Sequence, residues 1–444
     1  MNLARLSLSY LRRRPLVAAL NVVLLALGVA TIALLLLVSG QIDERLDRDA
    51  RGVDLVVGAK GSPLQLILSA VYHVDAPTGN VAVRELLPVV TSPMVREAIP
   101  LALGDSYAGF PVVGTTRAYV AHYGGRLAGG RAWQQPYDVV LGADVARRTG
   151  QTVGSRLVST HGLSEAGQGH ASTPFTVVGV LEETGTVLDR LVVTSVETVW
   201  ATHEHEGESA HADDHGDDHA ENDTHADEPA SGESHTDAPD TLATSAVSRP
   251  VGGGFDYAAA ARDRRELTAV IVRYRSPMAV ALFPRQVDAV ASLKAAQPSM
   301  ELARLAVLLG VGADVVRAFG GLLMAVALLG VFVTLYSAIR DRAYDLAMMR
   351  TLGATRGTLV AHVLVEGLLL ALAGTLVGLA LGHGAAEVAG RMLAERQGLR
   401  LTGWTWMPGE TGLVLAALAT GIAAALVPAW QAYRTDLARV LAEG

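Results

Sequence analysis

The chain has 444 residues, of which half are apolar and 18% are charged, and its formal net charge at pH 7 is −8. It contains no cysteine, which excludes disulfide bonds and thiolate metal sites. A domain outside the membrane must therefore be held together by ordinary hydrophobic cores. We expect no nucleic acid partner.

The first predicted element is an uncharged apolar stretch, Leu16–Val38. About 20 such residues cross a bilayer, so this stretch predicts a membrane-spanning helix. Arg12, Arg13 and Arg14 precede it and acidic residues follow it, which places the N-terminus in the cytoplasm. A cleaved signal peptide is the alternative, but the apolar run is longer than a typical signal core.

A mixed domain is predicted to follow the first span. Residues 1–50 comprise a cytoplasmic arm, the span and a polar stalk with helical character. Residues 51–285 predict a periplasmic α+β domain of two subdomains. Its helical candidates are Asp144–Arg148 and Gln286–Ala296. Short β-branched runs bounded by Gly and Pro predict its strands at Leu55–Val57, Val112–Gly114, Val139–Leu141, Phe175–Val180, Leu191–Val193 and Val270–Tyr274.

An acidic, histidine-rich tract, residues 203–240, interrupts this domain. It holds seven of the 13 histidines, 14 Asp or Glu and no Lys or Arg, so the rest of the chain is net positive. Because it has few apolar residues, it is predicted to be a disordered insertion. Imidazoles and carboxylates bind zinc, copper and nickel, and zinc is the expected metal. The candidate ligands, which would form several weak sites, are His203, His205, His211, His215, His219, His225 and His235.

Two other interpretations of the tract remain open. It could be a solvated acidic linker that binds no metal, or a pH-sensitive element, since histidine titrates near neutral pH.

Apolar residues recur at roughly helical spacing through Arg285–Leu309 and lead into the second apolar stretch. Residues 286–317 are therefore predicted to form a second stalk beside the first, and a domain carried on two stalks can transmit motion across the membrane. A plain packed helix is the alternative.

Three further stretches of spanning length are Ala318–Ile339, Leu359–Leu381 and Thr411–Ala429. Alternation of direction places residues 40–315 outside and both termini in the cytoplasm, and every short cytoplasmic segment is basic. The predicted fold is an α-helical membrane protein with four transmembrane helices and a large α+β periplasmic domain between helices 1 and 2. The predicted location is the bacterial inner membrane.

The third span contains glycines four residues apart, which predict close helix packing at Gly374, Gly378 and Gly382. His362 and Glu366 lie near the cytoplasmic end of the same span, where an ionisable group is a functional candidate. Snorkelling or pairing with a neighbouring arginine is the simpler interpretation of these two residues.

The sequence shows no catalytic constellation. Its only lysines are Lys60 and Lys294, and the segment Gly58–Ser62 lacks the spacing of a phosphate-binding loop. The chain is therefore predicted to be neither an enzyme nor the holder of an intrinsic cofactor. ATP chemistry, if required, must come from another chain.

The cytoplasmic segment carries a family resemblance. Arg340–Arg342 followed by Asp345–Thr355, which contains Arg-Thr-Leu-Gly-Ala, is similar to a segment of the FtsX-like, or MacB-like, ABC transporter permeases. Val427–Arg434 resembles the family's closing pattern, and Val139–Ala143 with Val177–Val180 resembles its periplasmic domain. Residues 318–444 are thereby identified as an FtsX-like domain. The family usually carries Glu where Asp345 stands, and the histidine tract is not part of its pattern.

The resemblance implies a permease that works as a dimer, with an identical or related second permease, bound to cytoplasmic ATPase subunits that hold ATP and Mg²⁺. It implies that residues 340–356 contact the ATPase. A periplasmic adaptor or binding protein is a further expected partner. The candidate coupling residues are Arg340, Arg342, Asp345, Arg350, Gly353 and Thr355.

Three functions fit the sequence. The first is a transporter permease, whose histidine tract would point to metal or a metal-bearing protein as cargo. The second is a mechanical signalling protein that uses ATPase-driven motion to switch a periplasmic enzyme or adaptor. The third is a metal sensor that reports to the cytoplasm. The sequence indicates neither the substrate nor the direction of transport.

Overall fold

The computed structural model describes residues 15–161, 174–203, 254–341, 348–397 and 401–434. The chain divides into two compact units. The helical unit comprises Met1–Asp47 and Ala303–Gly444, and the sheet unit comprises Arg48–Leu302. Of the predicted metal ligands, only His203 lies within the described residues. Arg342 and Asp345, and the six other tract histidines, lie outside them.

Four helices are long and apolar enough to cross a membrane, by length and composition, and each contains one of the predicted spans. The first of them continues through residues 42–50, so the helical character predicted there is confirmed. The helices are, in chain order, α1 Pro15–Ala50, α2 Pro63–Ala70, α3 Val83–Val90, α4 Arg117–His122, α5 Ala143–Thr149, α6 over 196–203, α7 Tyr257–Arg262, α8 Ala279–Asp288, α9 Pro298–Asp341, α10 Arg356–Gln397 and α11 Pro408–Arg434.

Small residues let the long helices of the helical unit approach closely. A Cβ added at Gly378 of α10 would lie 2.7 Å from the carbonyl oxygen of Ala26, and one added at Gly374 would lie 2.8 Å from Leu25. At Gly382 the nearest atom is the Cβ of Ala33, 3.0 Å away. The structure thus places the predicted glycine series of α10 against α1, where a side chain would separate the two backbones.

Close approach at a glycine also joins two other helix pairs. A Cβ at Gly28 of α1 would lie 3.1 Å from the carbonyl oxygen of Gly320 in α9, and one at Gly367 of α10 would lie 2.8 Å from that of Gly421 in α11. A polar contact adds to the α1–α9 pair: buried Asn21 donates its side-chain amide to the hydroxyl of Thr334 at 2.7 Å. The packing of this unit therefore depends on backbone proximity.

The sheet unit is built on one mixed sheet with the strand order β13-β1-β12-β3-β4-β10-β6-β9-β5. β7 pairs with β9 and β8 with β3, while β2 and β11 form a separate pair. The strands are β1 Leu55–Ala59, β2 Val81–Ala82, β3 Val95–Tyr107, β4 Phe110–Thr115, β5 Leu127–Gly130, β6 Asp138–Leu141, β7 Arg156–Leu157, β8 Thr160–His161, β9 Phe175–Leu181, β10 Val192–Ser195, β11 Glu266–Leu267, β12 Ala269–Tyr274 and β13 Leu293–Ala296. All six predicted strands are confirmed.

The long strand β3 joins two hydrophobic cores. Its first half, up to Leu101, pairs with β12, and its second half, from Ala102, pairs with β4. One core lies where β1 and β12 meet α3, α7 and α8, and includes the fully buried Phe283. The other lies where β6, β9 and β10 meet α5, and includes the fully buried Phe175. Each such side chain contributes about 1.5–3 kcal/mol by leaving water.

The helix predicted to run through Arg285–Leu309 is wrong in its middle. α8 ends at Asp288, and Leu293–Ala296 is a strand that pairs antiparallel with β1, Leu293 opposite Ala59. The predicted helix Gln286–Ala296 is wrong for the same reason. The apolar spacing there fits a helix locally, but the backbone of β1 offers a ladder that local spacing cannot reveal. The helix that leads into the second span begins at Pro298.

Candidate functional site

Residues 348–358 overlap the segment predicted to contact an ATPase, and we name them the coupling turn after that prediction. They comprise the helical residues 348–351, a tight turn and the start of α10. Gly353 has a φ of +98°, which is the left-handed conformation that glycine adopts without strain. Its amide donates to the carbonyl of Arg350 at 3.1 Å, and the next amide, Ala354, donates to that of Met349 at 3.0 Å. These two bonds are a Schellman motif, which ends the helical turn sharply.

Thr355 begins the helix that follows. Its hydroxyl accepts a hydrogen bond from the amide of Thr358 at 3.2 Å, which is the geometry of an N-cap. Gly353 and Thr355 therefore define the shape of the coupling turn. The turn presents apolar side chains to solvent: Leu352 is 82% exposed and Met348 is 42% exposed. Arg340 lies at the end of α9.

A cluster of polar side chains holds the segment between the C-terminal end of α10 and the N-terminal end of α11. Gln41 of α1 pairs with the backbone of Thr402 through two hydrogen bonds, both 2.9 Å long. Glu387 of α10 accepts from the amide of Gly403 at 3.0 Å. The Nε2 of His383 lies 3.0 Å from the fully buried carboxylate of Glu410. The segment is thus held by side chains from three helices.

The end of α1 is bound within the sheet unit through Asp49, which forms hydrogen bonds with Tyr123 and with the loop 184–189. We name Asp49, Tyr123 and this loop the stalk socket. The carboxylate of Asp49, only 1% exposed, accepts a hydrogen bond from the amide of Val187 at 2.7 Å. The hydroxyl of Tyr123 donates to the Asp49 carbonyl at 3.2 Å. The carboxylate of Asp189 organises the loop by accepting from the amides of Thr184 and Gly185, both at 2.8 Å.

A buried aromatic chain continues from the stalk socket. Tyr123 packs edge to face on Tyr119, and the hydroxyl of Tyr119 lies 2.8 Å from Nε2 of His73. Burial, together with the charge of Arg190, lowers the pKa of His73 to about 3, so the ring is neutral at physiological pH. A neutral ring can exchange one hydrogen bond with the tyrosine without an added charge.

His203 is the last residue of α6 that the structure describes. Its Nε2 lies 3.6 Å from the carboxylate of Asp105 on β3. Among the residues that the structure describes, no three His, Asp or Glu side chains lie close enough together to hold a metal ion. His362 and Glu366 of α10 are buried, each 4% exposed.

Sequence reasoning missed the polar groups with distant partners. Asp49 and Val187 are 138 residues apart, and His383 and Glu410 are 27 apart. Asp105 was not singled out because a lone carboxylate in a strand carries no spacing signal.

Two family models match the chain. A model described as FtsX-like permease C-terminal matches residues 317–437, and one described as MacB-like periplasmic core domain matches residues 18–220. Together they cover most of the chain. The chain belongs to the FtsX-like and MacB-like ABC transporter permeases. In this permease the first match contains α10, α11 and the coupling turn, and the second contains most of α1 and the strands from β1 to β10.

One relative of the permease is an uncharacterized ABC transporter permease, YknZ of Bacillus subtilis (strain 168), which is 26% identical over 126 residues. The match covers 28% of this chain and 29% of YknZ, so it spans less than a third of the relative.

Two solved structures are also similar. One is the periplasmic region of MacB from Actinobacillus actinomycetemcomitans. The match covers 58% of this chain and 95% of the MacB structure, with 8% identity and a TM-score of 0.31. The other is the extracellular domain of the noncanonic ABC-type transporter YknZ from Gram-positive bacteria. The match covers 54% of this chain and 98% of the YknZ structure, with 9% identity and a TM-score of 0.28.

Proposed function

We propose that this permease is the membrane subunit of an ATP-driven transporter, in which a separate cytoplasmic ATPase moves the sheet unit on the outer side of a bacterial inner membrane. All four candidate membrane helices then span the bilayer, with both termini in the cytoplasm. The permease itself performs no catalysis, and ATP with Mg²⁺ is held by the ATPase.

The observation that carries this proposal is the coupling turn. Its two caps fix a compact shape, and its apex residue, Leu352, is a large apolar side chain that is 82% exposed. A rigid, capped turn loses little conformational entropy when it binds, and a central apolar side chain is a suitable anchor for a pocket on a partner. The positive-inside rule puts this turn on the cytoplasmic side, where an ATPase would meet it.

The test replaces Leu352 with Asp in the full-length permease. A charge at the apex cannot enter an apolar pocket, so we expect the affinity for the cognate ATPase to fall about tenfold or more, equivalent to about 1.4 kcal/mol. Affinity is measured by titrating the ATPase onto permease reconstituted in nanodiscs, and ATP turnover is recorded in parallel.

Leu352→Met is the matched variant, because it keeps an apolar side chain at the same exposed position. We expect it to bind within about twofold of the wild type. Equal binding by the wild type and Leu352→Asp would remove the coupling turn from the ATPase contact.

We further propose that a second copy of the permease packs against α9. The α9 stripe is a row of exposed apolar side chains spaced three and four residues apart: Leu308, Val311, Val315, Phe319, Leu322, Val326, Leu329 and Val333. This is the spacing of a helix–helix seam. The stripe lies on the side of α9 opposite Met324 and Val331, which face the helical unit.

Lipid does not account for the whole stripe. The exposed ion pair of Asp314 and Arg317 lies just before the predicted span. In this proposal, Leu308 and Val311 therefore lie outside the hydrocarbon region. Apolar side chains in that position are expected to be covered by protein. A second copy of α9 supplies a matching row.

The absence of cysteine makes this proposal simple to test, because one introduced cysteine is then the only thiol in the chain. Val311→Cys is expected to form a disulfide-linked dimer on mild oxidation in the membrane, since facing seam positions bring the two Cα atoms within about 7 Å. Leu376→Cys, on the exposed face of α10, is the control and should stay monomeric on a non-reducing gel. Cross-linking of Leu376→Cys but not Val311→Cys would place the interface elsewhere.

The stalk socket favours a second candidate function. α1 continues without a break from the apolar span to Asp49, which the socket holds by hydrogen bonds. Such a permease could convert ATPase-driven movement of α1 into a movement of the sheet unit that activates a periplasmic enzyme or adaptor, with no substrate crossing the membrane.

The composition of the histidine tract supports a role in transient metal capture, with zinc as the expected ion. In this proposal, the tract would raise the local metal concentration beside the sheet unit, and a metal or metal-bearing protein would be the cargo or the signal.

A further inference from the structure

The contact between Asp105 and His203 is a candidate binding site that the coupling function does not use. Asp105 lies near the end of β3, and its side chain is 1% exposed. The ring of His203, in α6, approaches it and remains 38% exposed. Both residues belong to the sheet unit.

The distance between the two groups fits a shared ligand. The 3.6 Å between Nε2 and Oδ2 exceeds an ordinary hydrogen bond, which is about 2.7–3.2 Å long. Two ligands of a tetrahedral zinc ion, each about 2.1 Å from the metal, lie about 3.4 Å apart. The two atoms are therefore separated by nearly the edge of a coordination tetrahedron.

Space for further ligands lies beside the carboxylate. The cavity beside the carboxylate has a volume of about 60 Å³. It is lined by Asp105, Ser69, His73, Asp75 and Gly104, and by the apolar residues Ala76, Pro77, Leu103, Pro111 and Val112. It has room for a few water molecules. Nε2 of His73 is already engaged by Tyr119, so His73 is not counted as a ligand. Two protein ligands and water give weak, exchangeable binding, as a transfer site requires.

We propose that Asp105 and His203 bind a divalent cation of borderline softness, such as zinc, at the point where the histidine tract leaves the sheet unit. The imidazole and the carboxylate are both ligands that zinc accepts, and the cation places positive charge beside a carboxylate shielded from water. This inference deepens the metal-capture part of the proposed function and rests on it. The site receives ions that the tract collects.

The experiment uses the full-length permease with six tract histidines replaced by asparagine, at His205, His211, His215, His219, His225 and His235. We call this the silenced permease; it keeps His203. Zinc is titrated by equilibrium dialysis, and bound metal is measured by mass spectrometry. The silenced permease is expected to bind one zinc ion more per chain than the silenced permease carrying His203→Gln or Asp105→Asn.

Glu197→Gln in the silenced permease is the matched control, because Glu197 is an exposed acid on the same helix, α6. It should keep the ion. Asp105→Asn changes a buried side chain and could impair folding. His203→Gln changes a partly exposed side chain, so it tests the site even if Asp105→Asn does not fold. Equal zinc binding by the silenced permease and both site variants would overturn the proposal.

The unmodified permease separates this inference from capture by the tract. Several more ions on the unmodified permease than on the silenced one would support capture by the tract, whatever happens at Asp105. Equal binding by the two, with the one ion still lost in His203→Gln, would support the site and remove the role of the tract.

Discussion

Replacing Gly378 with valine is expected to prevent the helical unit from packing. The added Cβ would lie 2.7 Å from both the carbonyl oxygen of Ala26 and the Cβ of Val29, so the backbones of α1 and α10 would have to separate. Overpacking against a rigid backbone costs about 1–3 kcal/mol and sometimes more, and the two valine methyl groups add further clashes. We expect a loss of at least about 3 kcal/mol.

Gly384→Val is the matched control for this prediction. It lies on the same helix, and a Cβ there would meet nothing within 4 Å. Both substitutions change helix propensity equally, so the difference between them isolates the packing term. The yield of monodisperse permease in detergent and its apparent melting temperature are the measurements. Equal behaviour of the two variants would show that α1 and α10 do not need this close approach.

The sequence was sufficient for the features that depend on local pattern. The uncharged run Leu16–Val38 predicts α1, and Val270–Tyr274 predicts β12, because a membrane span and a buried strand each leave a continuous apolar signal. The glycine spacing in α10 indicated a packing face, and the structure adds its partner, α1. Which helix would cover that face depends on the arrangement of all four helices, which no local pattern specifies.

The features that could not be predicted involve pairing over long distances. Leu293–Ala296 has apolar spacing that fits a helix, yet it pairs with β1, more than 230 residues earlier. The stalk socket depends on an amide of Val187, and a backbone amide has no sequence signature. Such contacts are specified by the whole fold, so candidate residues such as Asp49 become visible only when the structure brings their partners together.

Asp49→Ala is expected to loosen the stalk socket. The substitution removes the acceptor of the buried Val187 amide, and a buried donor left without a partner costs about 1–3 kcal/mol. For a domain of this size, each kcal/mol lowers the melting temperature by about 2–4 °C. Hydrogen exchange should accelerate at Val187 and across the loop 184–189.

Two further variants separate the socket from general effects of charge at the end of α1. Asp47→Ala removes an exposed carboxylate one half-turn earlier and should leave exchange in the loop unchanged. Asp49→Asn keeps an acceptor oxygen and should lose less stability than Asp49→Ala. If the stalk socket transmits movement of α1 to the sheet unit, the Asp49→Ala permease should still stimulate ATP turnover by the ATPase. Its activation of the periplasmic enzyme or adaptor should fall. Unchanged loop exchange in Asp49→Ala would show that the loop does not depend on α1 for its order.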